Sequence, residues 1–209
     1  MPIIVQVVSG SIGAGKSSIL HTLRGLTAYD RNVYILDENV AAWQYYLERM
    51  YMNPCNETVF LFQMEVAFHM HTVTKFLDQL TDAHKNDDEK VIVYVERSPL
   101  DVLEVFLPLN RDRLSDENYR CLVTMMQVYA NHAVWQNANY YYISCPFRIC
   151  AERVRKRSRD GEQKIDDDYL QRVEHLYDEM ARKVNARVLN NYGRNALLQT
   201  ITALTEKLL

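Results

Sequence analysis

The sequence predicts an α/β protein in which helices flank a parallel β-sheet. Short apolar runs rich in branched residues occupy residues 3–8, 33–36 and 91–95, and long helical patterns separate them. Runs of this length are too short for helices and are typical of buried parallel strands. A glycine-rich phosphate-binding motif follows the first run directly. Because 209 residues suit one hydrophobic core, we expect a single domain over residues 1–209.

The net charge of the chain, its apolar runs and its cysteine spacing disfavour several classes of function. The formal net charge is -3, which does not favour a broad nucleic-acid surface. No apolar run approaches the roughly 18 residues of a membrane helix. The four cysteines lack paired CxxC spacing, so reduced thiols are expected. These observations predict a cytoplasmic protein that binds neither nucleic acid nor membrane.

The remaining elements follow from periodicity. The short apolar run at residues 140–143 predicts a fourth strand, and the pattern of residues 168–188 predicts a long charged helix. Another long helix is expected after Asn56, since mostly apolar residues recur there at steps of three and four. Its predicted buried face consists of Val59, Gln63, Val66, Met70, Val73 and Leu77.

The phosphate-binding motif has the form G-x-x-x-x-G-K-[ST] and lies between a predicted strand and a predicted helix. Its backbone N–H groups can surround phosphate oxygens, Lys16 can reach the β- and γ-phosphates, and the Ser17 hydroxyl can bind Mg²⁺. The motif alone does not separate a kinase from a GTPase or an ATPase. The predicted phosphate-binding residues are Gly10, Ser11, Ile12, Gly13, Ala14, Gly15, Lys16, Ser17 and Ser18.

Charged residues follow the second and third strands, at the sheet edge where open α/β folds bind ligands. Asp37 and Glu38 follow residues 33–36, and Glu96 and Arg97 follow residues 91–95. A carboxylate here can deprotonate an attacking hydroxyl, and an arginine can stabilise a transferred phosphoryl group. The alternatives are a helix N-cap at Asp37 and a surface ion pair between Glu96 and Arg97.

In order, these motifs resemble the deoxynucleoside kinase family, which includes animal enzymes and herpesviral thymidine kinases. That family has a phosphate loop, Glu-Pro-Val-x-x-Trp, a helical Gln, Glu-Arg-Ser or Asp-Arg-His, and an Arg-rich lid. Residues 38–43 match the second motif, except that Asn39 replaces the usual proline. The resemblance covers roughly residues 3–180, so the last 25 or so residues receive no assigned function. It implies a P-loop kinase fold with a lid near residues 153–165.

The resemblance implies four catalytic residues. Glu38, rather than Asp37, would be the general base for a 5′-hydroxyl. Lys16 and Arg97 would serve phosphoryl transfer, and Arg97 would also contact the nucleoside. Glu96 would complete the catalytic set and join Ser17 in binding Mg²⁺.

Gln63 is the most informative residue of the predicted nucleoside pocket, because a buried amide needs a hydrogen-bond partner. The family reads the base with a glutamine here, although neighbouring side chains could also satisfy it. Trp43 would line this pocket or belong to the core, and Val66 would form part of its wall. In deoxycytidine-preferring relatives, Arg and Asp usually replace Met70 and Val102. Their absence favours thymidine, or pyrimidines broadly.

The basic run before residue 160 could indicate a nucleic-acid patch, but the net charge is negative and the run lies where the family has its lid. By resemblance, Arg157 and Arg159 close over the ATP phosphates. Glu162 and Tyr51 would contact the sugar 3′-hydroxyl.

Together these observations predict ATP-dependent phosphorylation of a deoxynucleoside 5′-hydroxyl for dNTP salvage, with Mg²⁺. The resemblance also implies a homodimer, formed by the helices before and after the third strand. A nucleoside monophosphate kinase, such as a thymidylate kinase, is the main alternative. A catalytically inactive P-loop binding module is a more remote one.

Overall fold

A five-stranded parallel sheet lies at the centre of the computed structural model, which describes residues 3–86, 89–159 and 162–206. The strand order is β2-β3-β1-β4-β5. The predicted parallel sheet flanked by helices is confirmed. The strands are β1 (Ile3–Ser9), β2 (Val33–Leu36), β3 (Val91–Glu96), β4 (Asn139–Ser144) and β5 (Arg187–Asn190).

The register of the central strands determines which residues meet at the carboxyl edge. Strand β1 pairs with β3 from Ile3 opposite Val91 to Val8 opposite Glu96. On its other side β1 pairs with β4. The phosphate motif, which follows β1, therefore lies beside the charged residues that end β3.

Helices cover both faces of the sheet. The regular helices are α1 (Lys16–Leu26), α2 (Val40–Met52), α3 (Asn56–Ala83), α4 (Pro99–Asp101), α5 (Leu107–Leu109), α6 (Asp116–Ala130), α7 (Ala133–Gln136), α8 (Phe147–Arg157), α9 (Asp167–Lys183) and α10 (Ala196–Thr205). On one face, α1 and α10 pack against Val8 and Tyr94. On the other, α3 and α7 pack against Val5, Val7 and Val93.

Helix α3 has the buried face that its periodicity predicted. All six predicted residues, including Gln63, are buried. Farther along this face Thr74 accepts a hydrogen bond from the Trp135 indole, with 2.8 Å between Oγ1 and Nε1. This hydrogen bond connects α3 to α7 on the same face of the sheet.

The predicted helix over residues 168–188 is wrong at its end, because α9 stops at Lys183 and β5 begins at Arg187. Asn185 has a left-handed backbone with φ 50°. The Ala186 N–H then bonds the Ala181 carbonyl at 2.8 Å, an arrangement that closes helix C-termini. Strand β5 lacks the apolar pattern of a buried strand, since Leu189 is its one buried residue.

A π-helical turn, Val102–Phe106, separates α4 from α5. The Leu107 N–H bonds the Val102 carbonyl, five residues earlier, and the next residue, Pro108, has no N–H to donate. Turns of this kind are frequent at functional sites. Short 3₁₀ turns lie at Arg111–Arg113 and Glu162–Lys164.

Within the described ranges, none of the helices combines the length and the apolar character needed to cross a membrane.

Candidate active site

A cavity of about 380 Å³ opens at the carboxyl edge of the sheet. The phosphate loop bounds one end, and helices α2 and α3 with the π-helical turn bound the other. Its predicted phosphate-side lining consists of Ile12, Gly13, Gly15, Lys16, Ser17 and Ser18. Gly10, Ser11 and Ala14 do not line it, and Ser11 and Ala14 are buried beneath it.

The phosphate loop fits closely against β4 and α8. A Cβ atom on Gly10 would lie 2.7 Å from the Ile143 carbonyl oxygen, and one on Gly13 would lie 2.6 Å from that of Cys150. Lys16 Nζ donates to the carbonyls of Gly10 (3.0 Å) and Ser11 (3.1 Å). Burial lowers the pKa of Lys16 to about 8. The loop is therefore closely packed, with its cation inside.

Two residues outside the motif, Arg153 and Asn191, donate hydrogen bonds to the phosphate loop. Arg153 Nη1 donates to the carbonyls of Gly13 (3.3 Å) and Ala14 (3.2 Å), and its Nη2 donates to the Asn191 carbonyl at 3.0 Å. Asn191 Nδ2 donates to the Ala14 carbonyl at 2.7 Å. Sequence reasoning missed both contacts. Asn191 lies in the C-terminal segment, where the sequence carried no motif.

Ser17 and Glu96, the two residues predicted to bind Mg²⁺, lie close together. The Ser17 hydroxyl is 3.2 Å from each carboxylate oxygen of Glu96. Among the described residues, no group of three or more His, Cys, Asp or Glu side chains could hold a metal. Mg²⁺ binds few protein ligands and completes its octahedron with phosphates and water, so this hydroxyl–carboxylate pair beside the phosphate loop fits the ion.

Glu38 and Arg97 meet in the middle of the cavity. Arg97 donates to the Glu38 carboxylate and lies over the Phe106 ring, 4.9 Å from its centre. Burial raises the pKa of Glu38, but the charges of Arg97 and Lys16 outweigh burial and hold that pKa below its ordinary value. Glu38 is therefore an ionised acceptor at neutral pH.

Asp37, adjacent to Glu38, points to the surface. It forms an ion pair with Arg24 at 2.6 Å, and both side chains are nearly half exposed. The two neighbouring carboxylates thus have different environments, and only Glu38 lines the cavity.

The end of the cavity opposite the phosphate loop is mainly apolar. Gln63 is 2 % exposed, and its Oε1 has no hydrogen-bond partner among the described residues. A buried amide oxygen without a partner is costly, and because Gln63 lines the cavity, a ligand bound there can supply the missing donor. The predicted residues that line this end are Trp43, Tyr51, Gln63, Val66, Met70 and Val102.

Trp43 lines the cavity, and it also belongs to a buried cluster with Leu47 and Met50. Its position is compatible with both predicted roles. Phe62 and Phe106 line the same end and were missed. The position of Phe62 directly before Gln63 could have indicated it from the sequence. Phe106, in contrast, reaches the cavity through the π-helical turn.

Glu162 is bound by the two arginines that were predicted to cover the phosphates. Arg157 Nη2 donates to its carboxylate oxygens at 2.6 and 2.7 Å, and Arg159 lies 3.5 Å away.

Burial, with smaller effects of Tyr169 and Glu162, raises the pKa of Tyr51. Residues 160 and 161 of the predicted 153–165 segment lie outside the described residues.

The parallel sheet and the phosphate loop define a P-loop nucleotide-binding fold. The chain belongs to the deoxynucleoside kinase family, because the family model "Deoxynucleoside kinase" matches residues 6–207. It is therefore a kinase, a nucleotide-binding transferase, and the predicted family resemblance is confirmed.

Two viral relatives carry kinase names, and one solved structure shares the fold. The chain is 29 % identical over 174 residues to "Putative kinase protein 143R" of Invertebrate iridescent virus 6, covering 81 % of this chain and 78 % of the viral protein. It is 28 % identical over 187 residues to the thymidine kinase of Ictalurid herpesvirus 1, covering 84 % and 73 %. A deoxyadenosine kinase from M. mycoides, solved with dCMP and dCDP, has a TM-score of 0.69 at 19 % identity, covering 98 % of both chains. That likeness shows the shared fold.

Proposed function

We propose that the protein transfers the γ-phosphoryl group of ATP to the 5′-hydroxyl of a deoxynucleoside, with thymidine or pyrimidines broadly as acceptors, for dNTP salvage. The observation that carries the proposal is the composition of one cavity. It has a phosphate loop at one end, the unpaired buried amide oxygen of Gln63 at the other, and the ionised Glu38 between them.

In the proposed reaction, Glu38 accepts the proton of the 5′-hydroxyl while the hydroxyl oxygen attacks the γ-phosphorus and ADP leaves. Lys16 and Arg97 stabilise the negative charge on the transferred group. Ser17 and Glu96 would hold Mg²⁺, which neutralises charge on the β- and γ-phosphates. The pairing of Glu38 with Arg97 supports these roles, because it keeps the base ionised and the cation beside it.

For the base, we propose that Gln63 forms paired hydrogen bonds. Its unpaired Oε1 can accept from thymine N3–H while its Nε2 donates to thymine O4. Val66, Met70 and Val102 supply an apolar wall, and none of them brings a charge that would favour cytosine. Thymidine therefore fits the pocket, and a reversed amide would also accommodate deoxycytidine.

For the sugar, we propose that Tyr51 and Glu162 bind the 3′-hydroxyl and that residues 153–165 act as a lid. The Arg157–Glu162 ion pair supports this proposal, because Arg157 can exchange the Glu162 carboxylate for a phosphate group. When ATP binds, Arg157 and Arg159 turn to its phosphates, which leaves the Glu162 carboxylate available to the sugar.

A thymidylate kinase is less well supported, since the arginines at the acceptor end of the cavity already pair with carboxylates, Arg97 with Glu38 and Arg157 with Glu162. Such pairs carry no net positive charge for an acceptor phosphate. An uncharged sugar hydroxyl suits them better.

We also propose a homodimer through α3 and α6. Phe68 and Val128 are 69 % and 66 % exposed on these helices, although both are large and apolar. Phe68 lines a groove together with Met64, Met125 and Tyr129, among others. An apolar surface shared by two adjacent helices is typical of an interface between subunits.

The direct test uses radiolabelled ATP with Mg²⁺ and, separately, the four deoxynucleosides and dTMP. We expect label in the monophosphate of thymidine, and more weakly of deoxycytidine. Label in dTDP with none in dTMP would identify a monophosphate kinase instead. No transfer to any acceptor would support an inactive binding module.

A further inference from the structure

Behind the cavity lies a buried carboxylate to which the proposed reaction gives no role. Asp101 is fully buried and accepts hydrogen bonds on both oxygens. Its Oδ2 accepts from the Ser9 hydroxyl (2.9 Å), the Ser98 N–H (2.8 Å) and the Ser98 hydroxyl (2.9 Å). Its Oδ1 accepts from the Tyr177 hydroxyl at 3.0 Å. The carboxylate thus connects the ends of β1 and β3 to helix α9.

A capping role explains only part of this arrangement. Ser98 and Asp101 form a capping box at the start of α4. That motif requires no contact with Ser9, 92 residues earlier, or with Tyr177, 76 residues later. A cap on a helix of three residues also does not require a buried charge.

The Tyr177 hydroxyl links Asp101 to Arg97 through two hydrogen bonds. The phenol has one proton, which it donates to Asp101, so its oxygen lone pairs accept from Arg97 Nε at 3.3 Å. Arg97 uses another nitrogen to donate to Glu38. The side chains therefore form a chain of contacts in the order Asp101, Tyr177, Arg97 and Glu38.

The backbone of Arg97 has an unfavourable conformation, so contacts with neighbouring residues must hold Arg97 in place. Its φ of 65° lies in the left-handed region, which residues with a side chain rarely adopt. The Arg97 N–H bonds the Val8 carbonyl (3.2 Å), and the following N–H, of Ser98, bonds Asp101. Since Ser9 immediately precedes the phosphate loop, Asp101 fixes Arg97 and the start of that loop relative to each other.

We propose that Asp101 is a positioning residue that acts through Tyr177 to hold Arg97 against Glu38 at a set distance from the phosphate loop. The kinetic part of this inference rests on the proposed function. Its structural part, the Asp101–Tyr177–Arg97 relay, does not.

The kinetic test uses Tyr177→Phe, which removes one hydroxyl and keeps the ring, because Asp101→Asn disturbs several buried hydrogen bonds and endangers folding. Tyr142→Phe is the matched control. Tyr142 is also buried, its ring stacks on Tyr177 at 5.8 Å, and its hydroxyl bonds Asp178 outside the relay.

We expect Tyr177→Phe to lower kcat about 10- to 100-fold, the scale of a misplaced reacting group, with KM changed less than about 3-fold. Tyr142→Phe should keep its kcat at a similar Tm. Adding Tyr177→Phe to Arg97→Lys should cost little further, since both changes break the same contact. Equal kcat losses in the two Phe variants, or losses that multiply with Arg97→Lys, would overturn the positioning role.

The structural test is the ¹H–¹⁵N signal of Arg97 Nε–H, assigned by its absence in Arg97→Lys. We expect Tyr177→Phe to shift this signal and Tyr142→Phe to leave it in place. An unchanged signal in Tyr177→Phe means that the relay does not exist. If the wild-type protein phosphorylates no nucleoside, the proposed function fails, and this signal still decides whether the relay is present.

Discussion

Arg97, which follows β3, donates a hydrogen bond to Glu38, which lies just beyond β2. The two strands are neighbours in the sheet, so the charged residues that end them meet over its carboxyl edge. Both side chains are largely buried. Each stabilises the charged form of the other, and a carboxylate held ionised in this way can accept a proton at neutral pH.

The first prediction concerns this carboxylate. Glu38→Gln keeps the size of the side chain and removes its basicity, so kcat should fall by about two to four orders of magnitude. Nucleoside affinity, measured by calorimetry, should change little. Single-turnover transfer from labelled ATP measures the rate of the chemical step directly.

Asp37→Asn is the matched control for this variant, because Asp37 is adjacent in sequence but forms a surface ion pair with Arg24. Its kcat should equal that of the wild type. Full turnover by Glu38→Gln would exclude Glu38 as the base.

The second prediction concerns the support of the phosphate loop. Asn191→Ala removes the 2.7 Å hydrogen bond to the Ala14 carbonyl. Loss of one such bond costs about 1 kcal/mol, so KM for ATP should rise about 5-fold. KM for the nucleoside should stay the same, since Asn191 does not line the cavity.

The neighbouring Asn190→Ala serves as its control, because the Asn190 side chain is exposed. Equal effects of the two variants on KM for ATP would mean that β5, and not the Asn191 amide, supports the loop.

Residues that depend on local pattern were predictable from the sequence. The phosphate loop needs only its own glycines and the flanking strand and helix, and Gln63 stood out as a polar interruption of an apolar stripe. Each of these features depends only on residues that are close to it in the sequence. Strands β1 to β4 were located for the same reason, since each is a short apolar run bounded by polar residues.

Residues that tertiary packing brings together were not predictable. Asn191 reaches the loop across 177 residues, and Tyr177 reaches Asp101 across 76. In sequence, Asp101 has the pattern of a helix cap, and Tyr177 has that of an apolar position on a long helix. Phe106 depends on a π-helical turn, which changes the ordinary spacing of side chains along a helix.

The third prediction concerns assembly. Phe68→Glu places a charge in the exposed apolar surface of α3 and should convert a dimer into a monomer, because burying an unpaired charge is costly. Light scattering at micromolar concentration should give twice the 24.5 kDa chain mass for the wild type and the single-chain mass for the variant.

Tyr29→Glu is the control for this change, since Tyr29 is a fully exposed aromatic residue outside α3 and α6. It should remain dimeric. A wild-type mass of 24.5 kDa would refute the homodimer.

The fourth prediction concerns Arg97. Arg97→Ala removes the cation from Glu38 and from the transferred phosphoryl group, so kcat should fall by at least about two orders of magnitude. The pKa of Glu38 should also rise, because burial would then act without the opposing charge of Arg97. Steady-state kinetics measure the first effect, and carboxyl ¹³C titration of labelled Glu38 measures the second. A variant that retains wild-type kcat would remove Arg97 from the proposed mechanism.

The last prediction concerns the base. Gln63→Leu keeps the volume of the side chain but removes both hydrogen bonds to thymine, and unpaired polar groups on the buried base cost about 1–3 kcal/mol each. The kcat/KM for thymidine should therefore fall about 5- to 150-fold for each bond lost. The control Gln171→Leu, on the exposed side of α9, should match the wild type. In the wild type, purine deoxynucleosides should be poorer substrates than thymidine, since they must also fit between Trp43 and Val102. A clear purine preference, or undiminished thymidine phosphorylation by Gln63→Leu, would show that Gln63 does not read the base.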